Sequence, residues 1–134
     1  TADYAPCLKL RGRIGGDRAV SLRAIGQILL VVETADLSAN RLGPDGAKAL
    51  ASSISESTTL KKLDLSENHL GSDGAQAIAA AVAKNVSLTN VDMRANHFEE
   101  SDEAQLRMIC TERRTRRHRL DVYCDGKPNL LEFE

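Results

Sequence analysis

The feature that most constrains this chain is a repeat of 28 residues. Residues 32–59, VETADLSANRLGPDGAKALASSISESTT, align without gaps on residues 60–87, LKKLDLSENHLGSDGAQAIAAAVAKNVS, and agree at 11 of 28 positions, where chance gives about 2. A third unit begins at Leu88 and keeps Leu88, Asp92, Asn96 and His97 in the same frame, with Asp102 standing where the earlier units have Gly46 and Gly74. Upstream, Ile14, Gly15, Asp17, Ala19 and Leu22 lie 28 residues before Leu42, Gly43, Asp45, Ala47 and Leu50. Leu8 and Leu10 join the pattern once a single residue is deleted before Ile14. A period of this length means stacked supersecondary units, each burying its neighbour's apolar face. The 134 residues therefore divide into a degenerate first unit (4–31), repeats 32–59, 60–87 and 88–115, and a C-terminal cap (116–134), all one domain.

Each unit carries two hydrophobic periods in succession. Leu63 and Leu65 are two apart, as in a strand; Ala75, Ile78, Ala79 and Val82 then fall at i, i+3, i+4 and i+7, one face of a helix. Gly71-Ser72-Asp73-Gly74 opens that helix, with Ser72 or Asp73 as candidate N-cap, and Pro44 with Asp45 does so in the preceding unit. In the tail, Leu120 and Val122 alternate like a strand 29 residues after Val91 and Met93, which predicts a fifth stacked strand. Asp125-Gly126 reads as a turn, and Leu130, Leu131 and Phe133 as a closing arm that covers the last repeat.

Leu60, Leu63, Leu65, Asn68, Leu70, Gly71, Gly74, Ala75, Ile78 and Ala79 fit the pattern LxxLxLxxNxLGxxGAxxLA, and the chain resembles the leucine-rich repeats of the ribonuclease-inhibitor class over about residues 5–112. The resemblance implies an α/β solenoid, a short horseshoe arc with parallel strands on the concave face and helices on the convex face. It also implies a non-catalytic protein-interaction or scaffold module, with a subunit of a larger assembly compatible. The alternative it implies is a GTPase-activating protein resembling the Ran type; NOD-like receptors and tropomodulin-type actin regulators are further relatives.

Composition excludes several other classes. Lys plus Arg is 18 and Asp plus Glu 19, a formal charge of -1, so no global field attracts nucleic acid or anionic lipid. Aromatics are 3% with no Trp, which argues against a base-stacking platform. The longest apolar stretch, Ile28 to Val32, is far short of the roughly 20 residues that span a bilayer. Three cysteines, Cys7, Cys110 and Cys124, are an odd number without paired spacing, so a reducing, cytoplasmic compartment and inert packing of these thiols are expected. Thr1 opens the chain without Met, and we expect a piece of a longer protein.

No catalytic constellation is visible: there is no Gly-x-Ser-x-Gly, no P-loop, and no base placed beside the serines at 52, 53, 55 and 57. No cofactor, metal or small-molecule substrate is expected. His69 and His97 stand one repeat apart, yet a zinc site wants three or four ligands, and Arg41 fills the same place in the previous unit. Asn40, Asn68 and Asn96 follow each strand, where a buried amide can satisfy loop backbone in its own and the next coil.

Two surfaces remain as candidate sites for a protein partner. Strand alternation points Thr34, Asp36, Ser38, Lys62, Asp64, Ser66, Asn90, Asp92 and Arg94 outward on the concave face. A shifted frame adds Arg119, Asp121 and Tyr123. Asp36, Asp64, Asp92 and Asp121 would then line up across neighbouring strands with Lys9 at one end, a like-charge row that folding alone does not need and that could receive a basic partner; part of it is family consensus. The second surface is the basic end, Arg113, Arg114, Arg116, Arg117 and Arg119, following the acidic start of the same segment. That charge order suits a helix dipole, and the end is either a solvated helix or a dock for an acidic partner.

Overall fold

The computed structural model describes residues 6–14, 18–115 and 119–125. Strand and helix alternate along the chain: β1 (Cys7–Lys9), α1 (Arg18–Leu29), β2 (Thr34–Asp36), α2 (Gly43–Glu56), β3 (Lys62–Asp64), α3 (Gly71–Lys84), β4 (Asn90–Asp92), α4 (Glu100–Thr115) and β5 (Asp121–Tyr123). The strands form one parallel sheet in sequence order, β1-β2-β3-β4-β5. Leu8, Ala35, Leu63, Val91 and Val122 stand in register across it. The expected α/β arc of stacked units is what the chain builds, including the one-residue deletion that brings Leu8 level with Ala35 and Leu63.

The β5 register differs from the expectation. Val122 pairs with Val91, 31 residues earlier, and not Leu120. The coil between β4 and β5 is longer because α4 spans 16 residues against 14 for α2 and α3. The proposed closing arm at residues 130, 131 and 133 lies outside the described residues.

The core is a column of side chains from successive units. Leu37, Leu65 and Met93 follow the strands, Leu50, Ile78 and Leu106 come from the helices, and each is fully or almost fully buried. Each such side chain contributes roughly 1.5–3 kcal/mol. Gly74 lets α3 sit against α2: a Cβ there would lie 2.8 Å from Leu70 Cβ and 3.5 Å from Ala47 Cβ. In the third unit Asp102 fills this position, and its carboxylate accepts from Ser72 Oγ (2.7 Å) and from the Glu99 N–H (3.0 Å). Ser72 therefore serves the next coil. The residue at the N-cap of α3 is Leu70, which offers no side-chain cap, so neither Ser72 nor Asp73 fills that role.

Between strand and helix the backbone turns through left-handed residues on both sides of each asparagine. Ala39, Glu67 and Ala95 precede it and Arg41, His69 and His97 follow it, all with φ between 52° and 62°. Such conformations are costly for non-glycine residues, and the asparagines offset that cost. Asn68 Nδ2 donates to the carbonyls of Leu37, Leu65 and Ser66, and its Oδ1 accepts from the N–H of Asn40 and Leu42. Asn96 repeats this set one coil on, and Asn40 reaches back to Leu10 O and Ile14 N. The three amides are buried rungs of one ladder.

Candidate functional site

Five paired strands of three residues leave an open face on the sheet, and this concavity encloses about 590 Å³. Two rows of outward positions cross it. Cys7, Thr34, Lys62, Asn90 and Asp121 form one; Lys9, Asp36, Asp64, Asp92 and Tyr123 form the other. Neighbours within a row are about 4.8 Å apart, and the rows are about 6.7 Å apart. Every strand edge inside the sheet is already paired, so recognition here falls to side chains.

Several expected site residues change place. Ser38 and Ser66 are buried: each donates its hydroxyl and its N–H to Oδ1 of the aspartate two residues earlier, at 2.5 and 3.0 Å to Asp36 and 2.6 and 2.9 Å to Asp64. The strand ends at the aspartate, so alternation no longer decides where the serine points. The aspartates are thus part of the fold as well as of the surface. Each closes an Asx turn at a strand end, which corrects the view that folding has no need of them. Asp121 pairs with Asn90, one row away from Asp92, and Tyr123 takes the place level with Asp92. Arg119 precedes the strand and bonds to Asp121 at 2.9 Å. Cys7 is exposed, contrary to the expectation of inert packing, whereas Cys110 and Cys124 are buried. Burial pushes the Cys124 thiol up to about 12.

The charges on this face are unevenly compensated. Asp92 is held by Arg94 through both oxygens, at 3.1 Å from Nε and 2.7 Å from Nη2. That bond, with the carboxylate's charge behind it, raises the pKa of Arg94. At the centre Oδ1 of Asp36 and of Asp64 holds a turn, while no ion pair engages either carboxylate or the ammonium of Lys9 or Lys62 among the described residues. Arg11 was missed by sequence reasoning, since it lies in the degenerate unit where no motif marks it. It bridges two coils, with Nη1 on Ser38 Oγ at 3.0 Å and Nη2 on Glu67 at 3.1 Å. Its pKa is raised by Glu67 first and further by Asp36 and Asp64.

The basic end loses one of its expected members. Arg113 is 4% exposed, with its guanidinium on the carbonyls of Val82, Asn85 and Leu88 at 3.3, 2.9 and 2.7 Å. It closes the end of α3 and is unavailable to a partner. Its position in the repeat explains this, because Asn85, 28 residues earlier, donates to Ile54 O and Ser57 O at the end of α2. Arg119 is exposed; the side chain of Arg114 and the whole of Arg116, Arg117 and His118 lie outside the described residues. His69 and His97 stack with centroids 5.3 Å apart and planes at 23°. Among the described residues no cluster of three or more His, Cys, Asp or Glu is placed to hold a metal, and no helix is long and apolar enough to cross a membrane.

A family model described as a leucine-rich repeat matches residues 36–51 and 56–79. No curated protein matches the sequence. Among solved structures the chain is similar to one titled leiomodin-1 actin-binding site 2, with a TM-score of 0.69 and 21% identity, covering 80% of this chain and 64% of that one. The matched segments start at the strand-ending Asp36 and run through the coils that Asn40 and Asn68 tie together, and the chain carries leucine-rich repeats there.

Proposed function

We propose that the chain is a non-catalytic protein-interaction module whose concave sheet face docks a protein partner. The observation that carries this reading is the charge at the centre of that face, which no ion pair engages among the described residues. Lys9 and Lys62 are exposed there, and Asp36 and Asp64 half-exposed, within one concavity, although isolated charges contribute little to stability. Charges displayed in this way set the specificity and rate of association with a complementary surface. The likeness to an actin-binding site of leiomodin-1 supports a protein partner and makes actin the first to assay. A reducing intracellular setting belongs to the same reading and rests on the odd cysteine count.

The test is site-specific photocrosslinking. A photoreactive residue in place of Lys62, on the concave face, is compared with one in place of Lys48, an exposed position of α2, in cell extract and with purified actin. Discrete adducts from position 62 alone are expected. Adducts from position 48 alone would move the working surface to the helices.

A further inference from the structure

The charges at the centre of the concave face are ordered, and the order selects a partner. Along one row the sequence is Lys9, Asp36, Asp64, in register on β1, β2 and β3; Lys62 lies in the other row, on the same strand as Asp64. Two strand steps carry the row across about 9.6 Å. A partner helix lying across the strands offers residues at i, i+3 or i+4, and i+7, the last about 10.5 Å from the first. An extended partner repeats on one face every 6.7 Å or so, hence about 13 Å over two repeats, and slips out of step with the row. Beyond Asp64 the row stops being available, because Asp92 is already clamped by Arg94.

We propose that this face receives a charge-patterned helix of a partner protein, with an acidic residue over Lys9, basic residues over Asp36 and Asp64 one and two turns along, and a second acidic residue beside the last, over Lys62. The proposal rests on the concave face being the docking surface. Both signs are used, so a uniformly basic helix is disfavoured by Lys9 and Lys62 as much as it is attracted by the aspartates.

The experiment uses three side-chain-stapled 14-residue helices of identical composition: one matched (Glu at i, Lys at i+4 and i+7, with a flanking Glu), one with the signs exchanged, and one scrambled. Fluorescence anisotropy at low ionic strength measures binding, and backbone amide shifts of the isotope-labelled chain locate it. The matched helix should bind at least about fivefold more tightly than the sign-exchanged one, from the four partly exposed pairs, with shifts on β1 to β3. In Asp36→Asn/Asp64→Asn, which keeps both Asx-turn acceptors, the preference should fall to what Lys9 and Lys62 alone supply, about half in free-energy terms, while the shift map of the free protein stays folded. Equal binding of matched and exchanged helices, a preference undiminished by the double substitution, or shifts confined to the helices would overturn the proposal. If the preference is absent but crosslinking at position 62 succeeds, only the helix is wrong; if both fail, the concave-face reading falls with it.

Discussion

Two polar ladders run through this solenoid, one at the strand exits and one at the helix exits, and they solve the same problem in different ways. At the strand exits Asn40, Asn68 and Asn96 are one residue type making one set of bonds three times. At the helix exits the rungs are Ser57, Asn85 and Arg113, again 28 residues apart, yet each is a different side chain. Ser57 Oγ accepts from the Leu60 N–H, Asn85 Oδ1 from the Leu88 N–H, and Asn85 Nδ2 also donates back to α2. Arg113 has no acceptor to offer locally and reaches back to three carbonyls. Where a turn contains left-handed residues on both sides, one amide of fixed length fits. Where a helix merely ends, any donor long enough to reach the free carbonyls serves.

The strand-exit ladder should break hardest. Asn68→Ala removes five hydrogen bonds that hold two coils and leaves buried carbonyls and N–H groups of both unpaired, so we expect a loss of about 3 kcal/mol or more in denaturant unfolding. A loss under about 1 kcal/mol would mean that the turns hold their left-handed residues without the amide.

The helix-exit ladder should be more forgiving. Arg113→Met keeps the apolar stem and abandons the carbonyls at the end of α3, with an expected loss of about 2 kcal/mol. Arg113→Lys should recover part of it, since one ammonium can still donate to the nearest of the three carbonyls. If Met and Lys are equally destabilised, the forked geometry of the guanidinium is what matters at that rung.

The difference between the ladders is also why one was legible in the sequence and the other was not. Identity at a fixed period exposed Asn40, Asn68 and Asn96, and with them the strands, the helices and the parallel stacking. Ser57, Asn85 and Arg113 share a period and no chemistry, so Arg113 was read by its charge as part of a basic surface. The same limit applied at strand ends. Period-2 alternation placed Lys62 and Asp64 correctly on the concave face but carried Ser66 outward with them, because the turn that redirects the serine depends on a side-chain bond to Asp64. The β5 frame was missed for a third reason: a longer α4 shifts the register, and length changes inside a coil leave no mark in the strand's own residues.

At the last described coil a side chain does what a backbone carbonyl does in the earlier ones. Gly12, Ala39 and Glu67 each donate their N–H to a carbonyl of the next coil, whereas the Ala95 N–H is taken by the Asp125 carboxylate at 2.9 and 3.0 Å. Asp125 is exposed, so the bond competes with water, and Asp125→Ala should cost about 0.5 to 1 kcal/mol in the same melts. Faster hydrogen exchange at the Ala95 amide is the site-specific check. Unchanged exchange there would show that the Ala95 amide is protected by something other than this carboxylate.

The smallest expected effect separates the shape of Asp64 from its charge. Its Oδ1 accepts from the Ser66 N–H and hydroxyl, and asparagine presents an oxygen in the same place, so Asp64→Asn should change stability by less than about 0.5 kcal/mol. The sign should lean toward stabilisation, because Asp36 and Asp92 stand on either side in register and neighbouring carboxylates repel. Asp64→Ala removes the acceptor too and should cost about 1 to 2 kcal/mol, as a lost cap does elsewhere. Crossing each substitution with Ser66→Ala sharpens the distinction: the alanine variant should show coupling to residue 66, and the asparagine variant should behave like the unmodified chain. If Asn and Ala at position 64 destabilise equally, the negative charge itself holds the turn, and the face would then present its aspartates for folding first and for a partner only second.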